Sequence, residues 1–598
     1  MNPLVVMFDI GSLWHHRCVN DKLLSDKNTK VNYRSVFYSI LHEYNKVDSI
    51  NDILNVEEFL QFFLEKVENK MMEIVSQYSF HELLFWTRRI SPINIYPTSE
   101  MTVHLYRETL NNVIMKYASG LEDFTVISNE AFKQLIPSYI TGLNPLKDEV
   151  VPKVRQVLSD SYLLESLSYF YIYGTQRLRI FNKGGKIVNN FSLGFDVVPQ
   201  NEEINFLIQL YDDRRDKNTL FSAVGTYFDN NIVKNNVLYA LFLQLNVDLK
   251  KSFPFDLDLQ SSNLFKPNYI PFIISLDKYY EYINLFNVEF KNKFGFSTKD
   301  FVVFISALTL HALYSFEKYH CYRYALLQRA YTVYDDKNAL LDGICEIATS
   351  LYSKKFGYLP KDLNLYINKI FKYLTCERNA PRDISLWTRG PRKIFYPIDN
   401  NRGIIDYSGM LSVLETLMLP LSRLDGEAGN KRSIHFENET NDLVKKTFGL
   451  DCYWIGQKKI NNGKGEEREI DSSFFIREFL FLLECKSVNV SFAFDMGDKR
   501  ALEFRKEKIK RAFDELNDKV DFIVKNRKCL SYPIPQNIKY IIPIVVSPFA
   551  EYIWEKSDNL FISENLPRVL TPNELGEIKE FKDLSFLINK PFTTILPD

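Results

Sequence analysis

Residues 467–488 read "EREIDSSFFIREFLFLLECKSV", an almost continuous apolar run broken by Asp471, Glu484 and Lys486. No other stretch limits the possible fold so tightly. A run with this density of Phe, Ile and Leu suits strands that are covered on both faces. A charge inside such a run is costly unless it is paired or bound to a cation. The three charged residues must therefore reach an exposed face or form a site. The run divides into two strand-like halves, "EREIDSSFFI" and "FLFLLECKSV", with "RE" at 477–478 between them. That turn lacks the Asn-Gly chemistry of the tightest two-residue hairpins, so a longer loop is expected. Side chains alternate along a strand. Leu480, Leu482, Glu484, Lys486 and Val488 therefore share one face, and Phe481, Leu483 and Cys485 share the other. Asp471 can join the first set from the preceding strand.

The flanking sequence predicts helices and a further strand. In "KRSIHFENETNDLVKKTFGL" (431–450), Phe436, Thr440, Leu443 and Val444 share a helical face, and Glu437 lies beside it. Lys445, Lys446 and Gly449 suit a helix C-terminus. Downstream, "DKRALEFRKEKIKRAFDELNDKVDFIV" (498–524) turns Leu502, Ile509, Phe513, Leu516, Val520 and Ile523 inward. "IKYIIPIVVSP" (538–548) reads as a strand. "RVLTPNELGEIKEF" (568–581) opens a structural helix with Thr571 as N-cap, Pro572 at N1 and Glu574 at N3. Two carboxylates and an ammonium converging at a strand end suit a hard cation. Mg²⁺ takes a few carboxylate oxygens, a backbone carbonyl and retained waters. Lys486 would orient or help deprotonate one of those waters.

Glu437 on a helix, then "EID", then "ECK", in an α-β-β-β-α-β order, resembles the PD-(D/E)XK nuclease superfamily, the restriction-endonuclease-like fold. The resemblance covers about 433–550. It implies that Asp471 and Glu484 bind the metal together with the carbonyl of Cys485. It implies that Lys486 assists the attacking water and that Glu437 supports metal or water, with Glu439 as the competing helix residue. Ile470 stands where the family pattern has Pro. The implied reaction is phosphodiester hydrolysis with Mg²⁺, for which Mn²⁺ can substitute. DNA is expected ahead of RNA because most of the resembling family cuts DNA. A role in antiviral defence follows only by analogy of architecture. Two alternatives stand beside this reading. One is a catalytically inactive nuclease fold serving as a nucleic-acid-binding or scaffold component. The other is an N-terminal region that senses a partner and restrains the nuclease.

The chain has 598 residues, which gives a prior of about two to four domains. Its net charge of −1 provides no global attraction to nucleic acid, so any such binding must come from a local patch. "RKEKIKR" (505–511) is the strongest basic cluster in the C-terminal part, and Arg505, Lys508 and Arg511 are expected to contact backbone phosphate. The fold class expected is α+β and multidomain. A large, mostly α-helical N-terminal region (1–375) is followed by a connecting segment (376–430). An α/β restriction-endonuclease-like domain with a central mixed sheet (431–598) completes the chain. Helical spacing is plain in 55–78 and 337–357, with Lys354, Lys355 and Gly357 as a stop. A β-like patch at 177–198 has "KGG" as its turn, "YDDRRDKN" (211–218) reads as a solvated loop, and 409–424 reads as a helix.

Seven scattered cysteines without a CxxC pair argue against a disulfide framework and a zinc site. The start lacks a secretory signal, and the apolar run 301–316 is short for a membrane span. A soluble, cytoplasmic protein is expected, with a protein partner or a second copy meeting the N-terminal region. The "LVVMFDIGS" segment (4–12), the Trp-Thr-Arg echo between 85–97 and 386–397, and His15, His16 and His311 are read as structural or coincidental.

Overall fold

The computed structural model describes residues 31–44, 48–78, 151–217, 241–246, 272–318, 331–376, 393–407, 426–488 and 491–597, with isolated positions between. The 4–12 segment, His15, His16, the 85–97 half of the Trp-Thr-Arg echo and most of the 409–424 helix lie outside these residues.

Helices α1 (Tyr33–Glu43), α2 (Val56–Val75) and α3 (Val151–Asn182) pack around a hairpin of β1 (Gly185–Asn190) and β2 (Gly194–Pro199). Phe37, Phe63, Phe170 and Phe195 meet in its core. The β-like patch at 177–198 needs correction. Residues 177–182 continue α3, because Leu178 is drawn into this core. "KGG" is a helix-to-strand turn, and Phe191–Leu193 is the turn between the strands.

The solvated-loop reading of 211–218 is also overturned. Residues up to Lys217 belong to helix α4 (Glu202–Lys217), whose first turn is capped by Asn201 accepting from the Ile204 N–H at 2.9 Å. Leu207 and Tyr211 are buried, and Leu207 packs into the C-terminal core. Burial of one apolar face outweighs the poor helix pattern of Asp-Asp-Arg-Arg-Asp.

A second helical core gathers α5 (Thr298–Lys318), α6 (Lys337–Leu351) and α7 (Leu363–Leu374). Residues 301–312 of the apolar run form the buried centre of α5, and His311 packs against Gly343 of α6. Among the described residues, no helix is long and apolar enough to cross a membrane.

The C-terminal part begins with α8 (Gly426–Phe448). The Gly-rich residues 426–430, read as connecting chain, are its first turns. Its C-terminus falls where the sequence predicts, at Gly449 with φ of 98°. Then come β3 (Lys458–Asn461), β4 (Glu467–Ile470), β5 (Ser472–Ile476), β6 (Phe479–Cys485), α9 (Lys499–Asn526), β7 (Tyr540–Val546), β8 (Val569–Leu570) and α10 (Pro572–Glu580). The sheet runs β5-β6-β7-β8, with β5 antiparallel to β6 and β6, β7 and β8 mutually parallel. It is a mixed sheet, and the described residues are α+β.

Both faces of this sheet are covered, which explains the apolar run. Leu480 and Leu482 face α9, whereas Phe481, Leu483 and Cys485 face a cluster that includes Phe436 and Val444 of α8 and Leu575 of α10. Each such fully buried side chain contributes about 1.5–3 kcal/mol. Two local expectations change. The first predicted strand is two strands: β4 pairs with β3, and β5 pairs with β6, with the break at Asp471. The hairpin loop is not longer than it looks. Ile476 pairs with Phe479, leaving Arg477 and Glu478 alone in the turn. Arg477 adopts φ of 55° without Asn-Gly help, held by its carbonyl accepting from Asn537 at 3.2 Å and its guanidinium donating to the Lys582 carbonyl at 2.8 Å.

Candidate active site

Asp471 sits where the chain leaves the β3–β4 ribbon and enters the central sheet. Its backbone carbonyl accepts from the Asn441 side chain at 2.8 Å and from the Gln457 N–H at 3.2 Å. Asn441 comes so close only because residue 456 is glycine. A Cβ there would lie 1.9 Å from Asn441 Oδ1. Ser472 pairs with Leu483, so the next step of the register sets Asp471 beside Glu484. Both side chains are buried, and they converge as the alternation predicts.

The geometry is compact. Asp471 Oδ2 accepts from the Cys485 N–H at 2.8 Å. Glu484 Oε1 pairs with Lys486 Nζ at 2.8 Å, and Lys486 also reaches Glu515 of α9 at 2.5 Å. A residue the sequence reading missed, Lys519 of α9, donates to Asp471 Oδ1 at 3.0 Å and to Glu484 Oε2 at 2.5 Å. One ammonium thus bridges the two carboxylates. Lys519 lies four residues beyond Glu515 and eleven beyond Lys508, on one helical stripe, but that spacing alone does not mark it as the partner of a buried carboxylate. Cys485 packs its thiol away from this face into the opposite core layer, with burial raising the thiol's pKa well above its usual value.

The helix carboxylate is Glu437. Burial, then the negative charge of Asp471, pushes its pKa up to about 7, although the Gln457 amide at 3.5 Å opposes the rise. Glu439 is turned elsewhere and pairs with His435 at 3.3 Å. Burial, then Asp471, also raises Glu484. Burial opposes the charge of Lys486, but Glu484 and Glu515 outweigh it and hold this ammonium above its ordinary value. Lys486 therefore stays charged at neutral pH. An ammonium in that place can orient a water by donating to it.

The donor set is hard: two carboxylates meet at one strand end, where Asp471 also accepts from the Cys485 N–H. Among the described residues, no three His, Cys, Asp or Glu side chains are grouped to hold a metal by themselves. Mg²⁺ does not require three, since one or two carboxylates with waters and substrate phosphate suffice. The Lys519 ammonium, held by one oxygen from each carboxylate, marks a position that accepts a cation. The residues fit Mg²⁺ or Mn²⁺ on that ground.

The proposed phosphate-binding trio separates. Arg505 is buried and pairs with Glu551, its Nε lying 3.0 Å from Glu551 Oε2, and it donates to the Val488 carbonyl at 3.3 Å. It faces the interior and is not a nucleic-acid contact. Arg511 is exposed and Lys508 half-buried, and neither forms an ion pair among the described residues. With exposed Phe504, they continue the stripe that ends at Glu515 and Lys519. From Phe504 to Lys519 this stripe spans about 22 Å along the helix. No family model, no curated protein and no solved structure matches the chain.

Proposed function

We propose that the C-terminal domain is a restriction-endonuclease-like, divalent-cation-dependent nuclease that hydrolyses phosphodiester bonds, DNA being the first substrate to test. The observation that carries this reading is the meeting of Asp471, Glu484 and Lys486 at one end of the central strands, with Glu437 beside them. The order helix, strands, helix, strand, and the mixed sheet between two helical layers, lend support. Asp471 and Glu484 would hold Mg²⁺ or Mn²⁺. When bound, the metal would supply Lewis-acid activation of water and neutralise phosphate charge. The Lys486 ammonium holds the attacking water by a hydrogen bond. Glu437, titrating near neutral pH, accepts a proton from that water as its oxygen bonds to phosphorus. The P–O bond to the leaving strand breaks as this bond forms, and the departing oxygen takes a proton from solvent water. Phe504, Lys508 and Arg511 would lead the phosphate backbone toward the site. A basic stripe with an exposed ring suits a backbone whose bases can stack.

The N-terminal region would sense a partner and act on the nuclease through α4. Its Arg214 reaches Glu574 at 2.8 Å and the Glu551 carbonyl at 3.1 Å, and Glu551 also holds Arg505 of α9. Antiviral defence is one role such a pairing would serve.

A second reading has its own observation. The ammonium of Lys519 neutralises the oxygens that a metal would bind, as expected of a nuclease fold that has lost catalysis and kept a nucleic-acid-binding or scaffold role. Plasmid DNA incubated with the full chain and Mn²⁺, with EDTA and Asp471→Ala as controls, decides between them. Nicking that both controls abolish is the expected result. Intact plasmid under every condition, with DNA still bound, would establish the inactive fold.

A further inference from the structure

Every inward oxygen of the two central carboxylates already has a donor. Asp471 Oδ2 is taken by the Cys485 N–H and Oδ1 by Lys519, at 2.8 and 3.0 Å. Glu484 Oε1 is taken by Lys486 and Oε2 by Lys519, at 2.8 and 2.5 Å. Each oxygen keeps a second lone pair, so the obstacle to a divalent cation bridging Asp471 and Glu484 is the ammonium that already lies between them. Lys486 touches only one of the two carboxylates and is anchored on its far side by Glu515 at 2.5 Å. Lys519 alone spans both, so its ammonium competes with the cation for the same position. Like charges at that range also repel too strongly to share it.

We propose that Lys519 is an internal counter-ion. It keeps the two buried carboxylates together while no metal is bound, and the incoming divalent cation displaces it. This rests on the cation-dependent reading above. The side chain is suited to the exchange. Its charge sits on a flexible four-carbon stem, and an ammonium binds as a point charge without the fixed fork of a guanidinium. Its side chain is 12% exposed, so the stem lies near the surface. The displaced ammonium would move out along the stripe that carries Lys508 and Arg511. There a substrate phosphate can receive it, so polyanion and metal would favour each other's binding. Without either ligand the site is closed by its own lysine.

The test is a Mn²⁺ titration of the full-length chain, read by the thermal unfolding midpoint and by free Mn²⁺ in electron paramagnetic resonance. Lys519→Met keeps the stem and removes the charge, and Lys525→Met on the exposed side of α9 is the control. Without metal, Lys519→Met should unfold at lower temperature than wild type, because two carboxylates lose their shared donor. With Mn²⁺ it should bind about tenfold more tightly than wild type or the control, since no ammonium has to leave. Equal or weaker binding by Lys519→Met overturns the proposal and leaves the metal site standing. Binding by neither protein overturns both.

The wild-type chain supplies an independent measurement should that variant fail to fold. Lysine amines are acetylated with acetic anhydride, with and without Mn²⁺, and read peptide by peptide in a mass spectrometer. Lys519 should change from protected to labelled on adding Mn²⁺ while Lys525 stays constant. No change at Lys519, or an equal change at both, overturns the proposal.

Discussion

Helix α9 carries a buried charge network near each end, and the two networks differ in their balance. Near its start, Arg505 faces Glu551, and Arg214 of α4 faces Glu574 of α10. Two guanidiniums meet two carboxylates, and their remaining N–H groups donate to the carbonyls of Val488, Glu551 and Val569. Near its end, Lys486 and Lys519 meet Asp471, Glu484 and Glu515, with Glu437 adjacent. Two cations there face four carboxylates. One acid from each network shifts in the opposite direction to the other. Burial alone would raise Glu574, but Arg214 holds it below its ordinary value. Burial and Asp471 together raise Glu437 to about 7. A balanced network is a brace between elements. A network with excess negative charge is one that an added cation would complete.

The comparison breaks most readily at the brace. Arg505→Met leaves Glu551 buried beside Ser547 without its cation, and removal of one partner from a buried pair costs roughly 3–5 kcal/mol. Denaturant unfolding should register that loss, whereas the salt dependence of DNA binding should stay as in wild type. A changed salt slope with unchanged stability would return Arg505 to the nucleic-acid surface. Lys508→Ala with Arg511→Ala should do the reverse. Stability should hold, and each lost phosphate contact should flatten the log–log salt slope by about 0.9. Superimposable binding curves would mean that this stripe meets only water.

The smallest effect separates the networks by sign. Glu437 has a folded pKa of about 7, above its ordinary 4.5, so its share of stability is present below that lower value and is lost as pH rises through 7. Glu437→Gln should therefore unfold like wild type near pH 5 and be more stable near pH 8. The difference should be about 1 kcal/mol, after discounting for a half-exposed group. Glu574 has the opposite sign: its stability is present above its unfolded value and lost as pH falls. Mn²⁺ should reduce the Glu437 effect by favouring the carboxylate. A variant that loses stability at pH 8 would show that Glu437 is paired and that the negative excess does not exist.

Local chemistry wrote much of the C-terminal part plainly. The alternation of Leu480 to Lys486, the stop at Gly449 and the capping box of Thr571 and Glu574 are all as the sequence dictates, because each depends on neighbours a few residues away. The convergence of Asp471, Glu484 and Lys486 was legible from strand alternation, although the two-residue turn that fixes its register was not expected. Lys519, Arg505 and Arg214 were not legible. Each lies in a polar stretch that reads as a wet helix face or loop, and each owes its role to a carboxylate far along the chain. Asp471 is 48 residues from Lys519, Glu551 is 46 from Arg505, and Glu574 is 360 from Arg214. A basic side chain looks the same in sequence whether water or a buried carboxylate awaits it. The difference arises when folding removes the water, and only the tertiary structure decides which charges lose it.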